Sequence, residues 1–437
     1  MNSLRRNKPE LLLPAGSIDC LKSAVRFGAD AVYLGTGGLS LRAGSSDLDE
    51  KELKEACDYS HSHDASVYLA VNIFATDDDI QAAAALFDRL SNTWAALRPD
   101  AFIISDPGIF ETARIHCPDI PVHISTQANT LNSAAVNFWY QKGVRRVVLA
   151  RELSLSRIKA LRERIPDDME LECFVHGAMC VSYSGRCLLS RAMTGRDANH
   201  GECAHPCRYK YSLVEEMRPG EYYPIEEDDR GTTVLASEDL CMAGHMDGLL
   251  DAGVDSFKIE GRMKNALYVA SVARVYRRAL DLAMSAPERY SAERDDLAAE
   301  LAKISDRPSS TGFYFSEGNV TNLPEAAKSD VRRVFYGPVR KKADMAQDGT
   351  IQVEVEQKNR FFTGDRVRFI EPGIPGQADM DAVILKMEDQ DGNEVLSAPH
   401  PKQLITLTLR AEEDPEGKLP DEGDIMAGEV PRTAKGG

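Results

Sequence analysis

The 437-residue sequence lacks any apolar run of the roughly 18 to 20 residues that a membrane-spanning helix needs. Its first residues, MNSLRRNKPE, are polar and contain neither an apolar secretory segment nor a small-residue cleavage site. HExxH and GxSxG motifs are also absent, which disfavours zinc proteases and serine hydrolases of those classes. We therefore expect a cytoplasmic protein without a membrane partner, in which the cysteines stay reduced.

Basic residues are in the minority, because 52 Lys and Arg stand against 69 Asp and Glu, for a net charge of −17. Taken alone, this balance argues against a nucleic-acid partner. The basic residues are unevenly spread, however, and residues 141–164 hold eight of them against two acidic ones. Two interpretations stay open: solvated helix faces, or a basic surface beside the cysteine-rich segment that suits phosphates.

Short apolar strands alternate with helical segments through the first three-fifths of the chain. The strand candidates lie in ELLLPAG, GADAVYLG, ASVYLAVNIF, PDAFIIS, PVHISTQAN, VRRVVLA, MELECFVHG and VDSFKIE. Continuous apolar strands between helices indicate a parallel sheet covered on both faces, and eight such units predict a TIM-like (β/α)8 barrel. TTVLASEDL at 232–240 is a ninth candidate strand. A doubly wound open sheet is the alternative, but no GxGxxG follows the first strand.

The hydrophobic period changes to two after about residue 330. TIQVEVEQ, DRVRFIE and DAVILKME alternate strictly and are separated by glycine-containing turns, which predicts a small antiparallel β-barrel. We expect an α/β chain in which residues 1–305 form the TIM-like barrel, with a cysteine-rich insertion at about 176–230. Residues 306–330 are predicted as a linker, 331–427 as the C-terminal β-barrel domain, and 428–437 as a disordered tail.

Polar residues close most of the predicted barrel strands, where the functional groups of such barrels lie. They are Asn72, Asp106, Gln127, Arg151, Glu152, His176, Lys258, Glu260 and Arg262. Helix capping and solvation of the rim would explain many of them equally well.

Cysteine is scarce, with nine in the chain, yet five lie between residues 173 and 207. Four have the spacing Cys-x6-Cys-x15-Cys-x3-Cys: Cys180, Cys187, Cys203 and Cys207. Structural zinc favours two closely spaced cysteine pairs and only 203–207 qualifies, whereas an iron–sulfur cluster tolerates irregular spacing. The spacing thus favours a cluster, with zinc and inert core cysteines as alternatives. Cys241 is a possible substitute ligand.

The segments GADAVYLG, STQAN, ECFVHGAMCVSYSGRCLLS and FKIEGRMKNALYVA resemble those of the collagenase-like peptidase family, U-32, over nearly the whole chain. Despite the family name, the resemblance implies an iron–sulfur hydroxylation protein. One branch converts the tRNA wobble uridine to 5-hydroxyuridine, with prephenate implicated. Another modifies a ribosomal RNA cytidine, and a shorter third branch hydroxylates a quinone precursor. The C-terminal β domain and the retained Cys207 make this chain most similar to the tRNA branch.

The resemblance implies a tRNA uridine hydroxylase with a 4Fe-4S cluster on Cys180, Cys187, Cys203 and Cys207, tRNA as partner and prephenate as a possible co-substrate. The candidate catalytic residues are His176, Tyr183 and Glu260. The candidate substrate-binding residues are Arg186, Lys258, Arg262, Gln127, Asp106 and Asn72. Ribosomal RNA hydroxylation, peptidase activity and a non-enzymatic binding role remain alternatives. Nothing in the sequence indicates the oligomeric state.

Overall fold

The computed structural model describes residues 8–41, 47–92, 97–179, 187–206, 212–213, 223–224, 239–305, 309–315, 329, 331–413 and 418–431. The chain divides into two compact units. The first comprises residues 1–18, 30–263 and 307–326, and the second comprises residues 19–29, 264–306 and 327–437.

Eight parallel strands close into a barrel in the first unit, which confirms the TIM-like prediction. Each of the eight apolar segments supplies one strand: β1 (Glu10–Pro14), β2 (Ala31–Gly35), β3 (Ser66–Val71), β4 (Ala101–Ile104), β5 (Val122–Ile124), β6 (Arg146–Val148), β7 (Glu170–Ala178) and β11 (Ser256–Ile259). Neighbours along the chain pair in order, and β11 closes the ring by pairing with both β7 and β1. Because nearly every strand residue is buried, the strands are apolar without alternation.

The ninth candidate strand is not a member of this ring. Within residues 232–240, the described part forms the start of β10 (Asp239–Cys241), which pairs antiparallel with the end of β7. β12 (Ser309–Ser310) adds to β10, and β8 (Ser212–Leu213) pairs with β9 (Tyr223–Pro224). The cysteine-rich segment therefore leaves the barrel after β7 and the chain returns to it at β11.

Most helices of the first unit begin where a side chain can satisfy one or more of their free N–H groups. Asp49 and Thr76 each form a capping box with the residue three positions later. In chain order the helices are α2 (Glu50–Ser62), α3 (Asp77–Ser91), α4 (Pro107–His116), α5 (Ser133–Gln141), α6 (Leu155–Arg162), α7 (Leu189–Thr194) and α8 (Met246–Asp251). Over the described ranges, no helix is long and apolar enough to cross a membrane.

The second unit contains a closed six-stranded antiparallel barrel, as the period-two pattern predicts. Its strands are β13 (Val331–Met345), β14 (Ile351–Glu356), β15 (Arg366–Ile370), β16 (Met380–Glu388), β17 (Leu404–Ala411) and β18 (Ile425–Pro431). Alternate residues of these strands, among them Val353, Val355, Leu407 and Leu409, form its buried core. β18 pairs with β13 as far as Pro431.

Three helices belong to the second unit: most of α1 (Ile18–Arg26), α9 (Ala266–Ser285) and α10 (Pro287–Ala302). The fully buried Arg274 of α9 binds Asp379 and Glu300, and Glu300 also binds the buried Arg333 of β13. Although burial alone would raise the pKa of Glu300, the neighbouring cations lower it to about 2. Residues 264–306 therefore belong to the same compact unit as the C-terminal barrel. The domain limits that we derived from the sequence remain a prediction.

Candidate active site at the barrel mouth

A layer of buried ions fills the N-terminal half of the barrel interior. Arg146 of β6 donates to Glu10 at 2.5 Å and to Glu170 at 2.8 Å, and it lies 3.6 Å from Glu172. Ser256 donates to Glu10 at 2.8 Å. Burial alone would lower the pKa of Arg146, but the surrounding carboxylates raise it well above its usual value. This layer forms the floor of the barrel interior.

A neutral histidine completes the floor. His123 of β5 packs edge-on against Tyr68, with ring centroids 4.7 Å apart. Its burial, together with the charges of Arg146 and Lys258, lowers its pKa well below the usual value. The imidazole therefore does not add a second cation to this layer.

Lys258 of β11 forms the next layer towards the C-terminal ends of the strands. Its Nζ donates to Glu172 at 2.8 Å, and both side chains are almost fully buried. The same nitrogen lies 4.5 Å from the ring centroid of Tyr33 and 5.6 Å from that of Phe174. Lys258 was predicted as a substrate-binding cation, but the structure places it below the mouth in an ion pair with Glu172.

Glu260, a predicted catalytic residue, lies at the mouth between a hydroxyl group and a cation. Tyr33 Oη lies 2.9 Å from the Ile259 carbonyl oxygen and 3.4 Å from Glu260 Oε2. Arg151 Nη2 lies 4.0 Å from the same carboxylate, and its guanidinium stacks 3.9 Å above the Phe174 ring centroid. Side-chain exposures of 17% for Glu260 and 12% for Arg151 leave the pair within reach of a bound molecule.

A β-bulge and one glycine place Glu260 there. The register between β7 and β11 shifts between Lys258 and Ile259, and Glu260 N donates to the carbonyl oxygen of His176 at 2.9 Å. Gly177 comes next with φ +101°, and a Cβ at this position would overlap the Glu260 carbonyl oxygen. The close approach therefore requires glycine. His176, the second predicted catalytic residue, is thereby brought beside Glu260 and is 6% exposed.

Arg262, a predicted substrate-binding residue, lies on the β2 side of the mouth. Its Nη1 donates to Ser40 Oγ at 2.9 Å, and Ser40 in turn donates to Asp47 at 2.9 Å. Its guanidinium carbon lies 6.0 Å from the Tyr33 ring centroid, so Tyr33 stands near both Arg262 and Glu260. This group joins the ends of β2 and β11.

The remaining predicted binding residues support loops at the mouth. Asn72 donates to Ser125 Oγ at 3.2 Å and accepts from Leu41 N at 3.4 Å, which links three loops. Gln127 lies in a short 3-10 turn that Ser125 caps. Asp106 caps α4, because its carboxylate accepts from the N–H groups at positions 108 and 109. For Asp106, helix capping accounts for the polar residue at the strand end.

Two of the four predicted cluster cysteines fall within the described residues. Asn199 Nδ2 donates to the carbonyl oxygen of Cys187 at 3.0 Å, and the N–H after Cys203 donates to Ser190 Oγ at 3.0 Å. The segment therefore folds back so that partly exposed Cys187 and Cys203 stand on adjoining stretches of chain. Cys180, Cys207, Tyr183 and Arg186 lie outside the described residues.

Thiolates are the ligands that soft metal centres take, and Cys187 and Cys203 are both free and partly exposed. No group of three or more His, Cys, Asp and Glu side chains suited to a metal occurs among the residues that the structure describes. Cys241 stands opposite His176 in the β10–β7 register. By contrast, burial raises the pKa of Cys57 and of Cys173 to about 12, as expected of core thiols.

The basic run at 141–164 consists largely of paired side chains. Arg146 is inside the barrel, Arg162 binds Asp255 at 2.5 Å, and Lys159 lies 3.0 Å from Asp251. Arg145 lies 3.4 Å from Asp168. These pairs favour the structural interpretation of the run over a phosphate-binding surface.

Sequence reasoning did not select Tyr33, Glu172 and Gly177 as site residues. Glu172 and Lys258 were detectable as charges inside otherwise apolar strands, a pattern that indicates inward-facing ion pairs. Tyr33 gave no comparable signal, because a tyrosine in a strand is usually a core residue. Gly177 gave only the signal of a glycine within a strand, which can indicate a bulge.

Comparison with known proteins gives two family matches. The model of peptidase family U32 matches residues 16–323, and that of the U32 C-terminal domain matches residues 332–419. The "tRNA hydroxylation protein P1" of Bacillus subtilis is 36% identical over 92% of this chain and 92% of its own length. The "tRNA hydroxylation protein P" of Escherichia coli is 34% identical over 92% of this chain and 94% of its own.

A more distant relative acts on another RNA. The "23S rRNA 5-hydroxycytidine C2501 synthase" of Escherichia coli is 34% identical over 74% of this chain but only 46% of its own length. The two family matches together cover most of the strands of both barrels. The chain therefore belongs to peptidase family U32.

Proposed function

We propose that this chain is an RNA-modifying protein that takes part in the hydroxylation of tRNA. The observation that supports this most strongly is the similarity, over 92% of the chain, to two bacterial proteins named for tRNA hydroxylation. The more distant relative named for 5-hydroxycytidine synthesis also acts on the C5 position of a pyrimidine in RNA. Our finer proposal is conversion of the wobble uridine of tRNA to 5-hydroxyuridine.

This reaction replaces the C5 hydrogen of uracil by a hydroxyl group, so it needs an oxygen donor, removal of two electrons and loss of the C5 proton. We propose Glu260 as the group that accepts this proton. The Tyr33 hydroxyl and the Arg151 guanidinium orient its carboxylate from two sides. The guanidinium charge stabilises the ionised form, which is the form that a general base requires. His176, beside Glu260 on the neighbouring strand, is a second proton carrier in this proposal.

The cofactor of our proposal is a 4Fe-4S cluster on Cys180, Cys187, Cys203 and Cys207, which would supply the redox chemistry that side chains lack. Prephenate, a dicarboxylate, is the proposed co-substrate. The charge of Lys258 is balanced by its ion pair with Glu172. We therefore assign binding of the prephenate carboxylates to Arg262 together with Arg186. Tyr183 is proposed to stack against the bound base.

The experiment is nucleoside analysis of bulk tRNA by mass spectrometry from cells with and without the gene. We expect 5-hydroxyuridine to disappear on deletion and to return with the wild-type gene but not with Glu260→Gln. Asp106→Asn is the matched control, because that carboxylate caps a helix. An unchanged tRNA profile with loss of 5-hydroxycytidine from ribosomal RNA would instead support the alternative RNA substrate.

A second experiment separates the cofactor and peptidase hypotheses. Anaerobically purified protein should be brown and contain about four iron and four sulfide ions per chain, as a single 4Fe-4S cluster requires. Cys203→Ser should lower both contents, whereas Cys117→Ser, a buried cysteine, should not. A colourless protein with one zinc ion would contradict the cluster. Gelatin hydrolysis by the purified chain would support the peptidase alternative.

A further inference from the structure

An exposed phenylalanine stands where the barrel mouth meets the cysteine-rich segment. Phe74 lies three residues after β3 and is 46% exposed, although almost every other aromatic ring of the described barrel strands is buried. The preceding Asn72 joins it to the mouth through Ser125. An exposed ring at this edge contributes little to the core, and its face is open to a bound molecule.

Phe74 is tied to the cysteine-rich segment through its backbone. Its N–H donates to the carbonyl oxygen of Asn199 at 3.0 Å, and the Asn199 side chain donates to the carbonyl oxygen of Cys187 at 3.0 Å. His200, the next residue, lies 3.6 Å from Asp79 of α3. Two hydrogen bonds therefore connect the Phe74 backbone, through Asn199, to the backbone of Cys187, a predicted cluster ligand.

Exposed cations accompany the ring on the same segment. Arg191 of α7 has a side chain that is 70% exposed and is only 3.5 Å from its partner Asp197, a weak contact. Arg196 is also exposed and lies three residues before Asn199. An aromatic face beside exposed guanidinium groups matches the chemistry of single-stranded RNA, whose bases stack and whose phosphates carry charge.

We propose that Phe74 stacks an unpaired base of the RNA substrate while Arg191 and Arg196 contact the adjacent phosphates. The inference rests on the proposed function and extends it, because it assigns RNA recognition to residues of the first unit beside the mouth. A base held on Phe74 lies next to both the mouth and the cysteine-rich segment.

The test measures binding of a fluorescein-labelled RNA hairpin with a uridine-containing loop, and of a paired duplex of equal length, by fluorescence anisotropy. Phe74→Ala should weaken hairpin binding about tenfold, as loss of one stacked base predicts, and should leave the duplex unchanged. Phe74→Trp should retain the affinity. Phe138→Ala is the matched control, since Phe138 is 52% exposed on α5. Arg191→Ala with Arg196→Ala should reduce the salt dependence of hairpin binding.

Hairpin binding by Phe74→Ala within twofold of the wild type would overturn the inference and leave the proposed function intact. Equal weakening of hairpin and duplex would also overturn it, because stacking on an unpaired base cannot act on a duplex. If the wild-type protein binds neither RNA, the proposed function fails as well. Circular dichroism of each variant distinguishes these outcomes from loss of folding.

Discussion

The buried pair of Lys258 and Glu172 permits a sharp prediction about the stability of the barrel. Glu172 is fully buried, and it lies 2.8 Å from Lys258 and 3.6 Å from Arg146. Removing one partner of a buried pair costs about 3–5 kcal/mol, because the other charge stays behind uncompensated. Replacing Lys258 and replacing Glu172 should not lower the free energy of unfolding by the same amount.

In Lys258→Met, the Glu172 carboxylate keeps Arg146 as a neighbouring cation. We therefore expect the free energy of unfolding to fall by about 3 kcal/mol, the lower end of the range. In Glu172→Leu, Lys258 retains only the faces of two aromatic rings, each worth about 1–2 kcal/mol, so we expect a cost close to 5 kcal/mol. The double variant leaves Arg146 paired with Glu10 and removes both other charges. It should therefore be destabilised less than either single variant.

Urea unfolding followed by tryptophan fluorescence measures this directly. The chain has two tryptophans, and Trp139 lies on α5 in the first unit, so its fluorescence reports on the barrel unit. The midpoint and the slope together give the free energy of unfolding of each variant. If the cost of the double variant equals the sum of the two single costs, the pair does not interact and the reasoning is refuted.

Three further predictions concern the mouth and the C-terminal barrel. Gly177→Ala should abolish the proposed tRNA hydroxylation, because the added Cβ displaces Glu260. Gly37→Ala is the control, since Gly37 also has a positive φ but has open space around it, and this variant should retain activity. Equal activities of the two variants would contradict the argument that the close approach requires glycine. Tyr33→Phe should lower kcat more than RNA affinity, measured by steady-state kinetics and anisotropy, and a selective loss of affinity would argue against an orienting role. Burial and nearby carboxylates raise the pKa of Glu371 from 4.5 to about 7. The free energy of unfolding of the second unit should therefore fall as the pH rises from 4.5 to about 7. Glu371→Gln should stabilise the second unit by about 1 kcal/mol at pH 8, discounted for partial exposure, and not at pH 4; calorimetry showing the same gain at both pH values would contradict this.

The barrel strands were predictable because burial on both faces makes each of them a short apolar run. The same property hides which side chains face inward, since an apolar strand has no alternation to mark its inner face. Ser256 and Lys258 alternate along β11, but only the structure shows that both contact carboxylates inside the barrel. Glu172, the partner of Lys258, lies 86 residues away in the chain.

The polar strand ends illustrate a second limit of the sequence. Asp106 and Glu260 are both acidic residues that close a strand, and residue type alone cannot separate them. The two differ in the local structure around each strand end. Asp106 begins a helix and satisfies two of its free N–H groups, whereas Glu260 comes after a bulge that turns it towards His176. Local helix chemistry identifies the first case, but the second depends on pairing between distant strands.

The paired ions below the mouth determine where chemistry can occur in this barrel. Glu10 and Glu172 are balanced by Arg146 and Lys258, so the interior is filled by groups that already satisfy one another. A substrate cannot displace them without leaving buried charges unpaired, which costs several kcal/mol. Binding is therefore restricted to the layer above Lys258, where Glu260, Arg151 and Tyr33 meet. That layer presents a carboxylate, a guanidinium and a phenol, groups that can hydrogen-bond the edge of a single base as the proposed function requires.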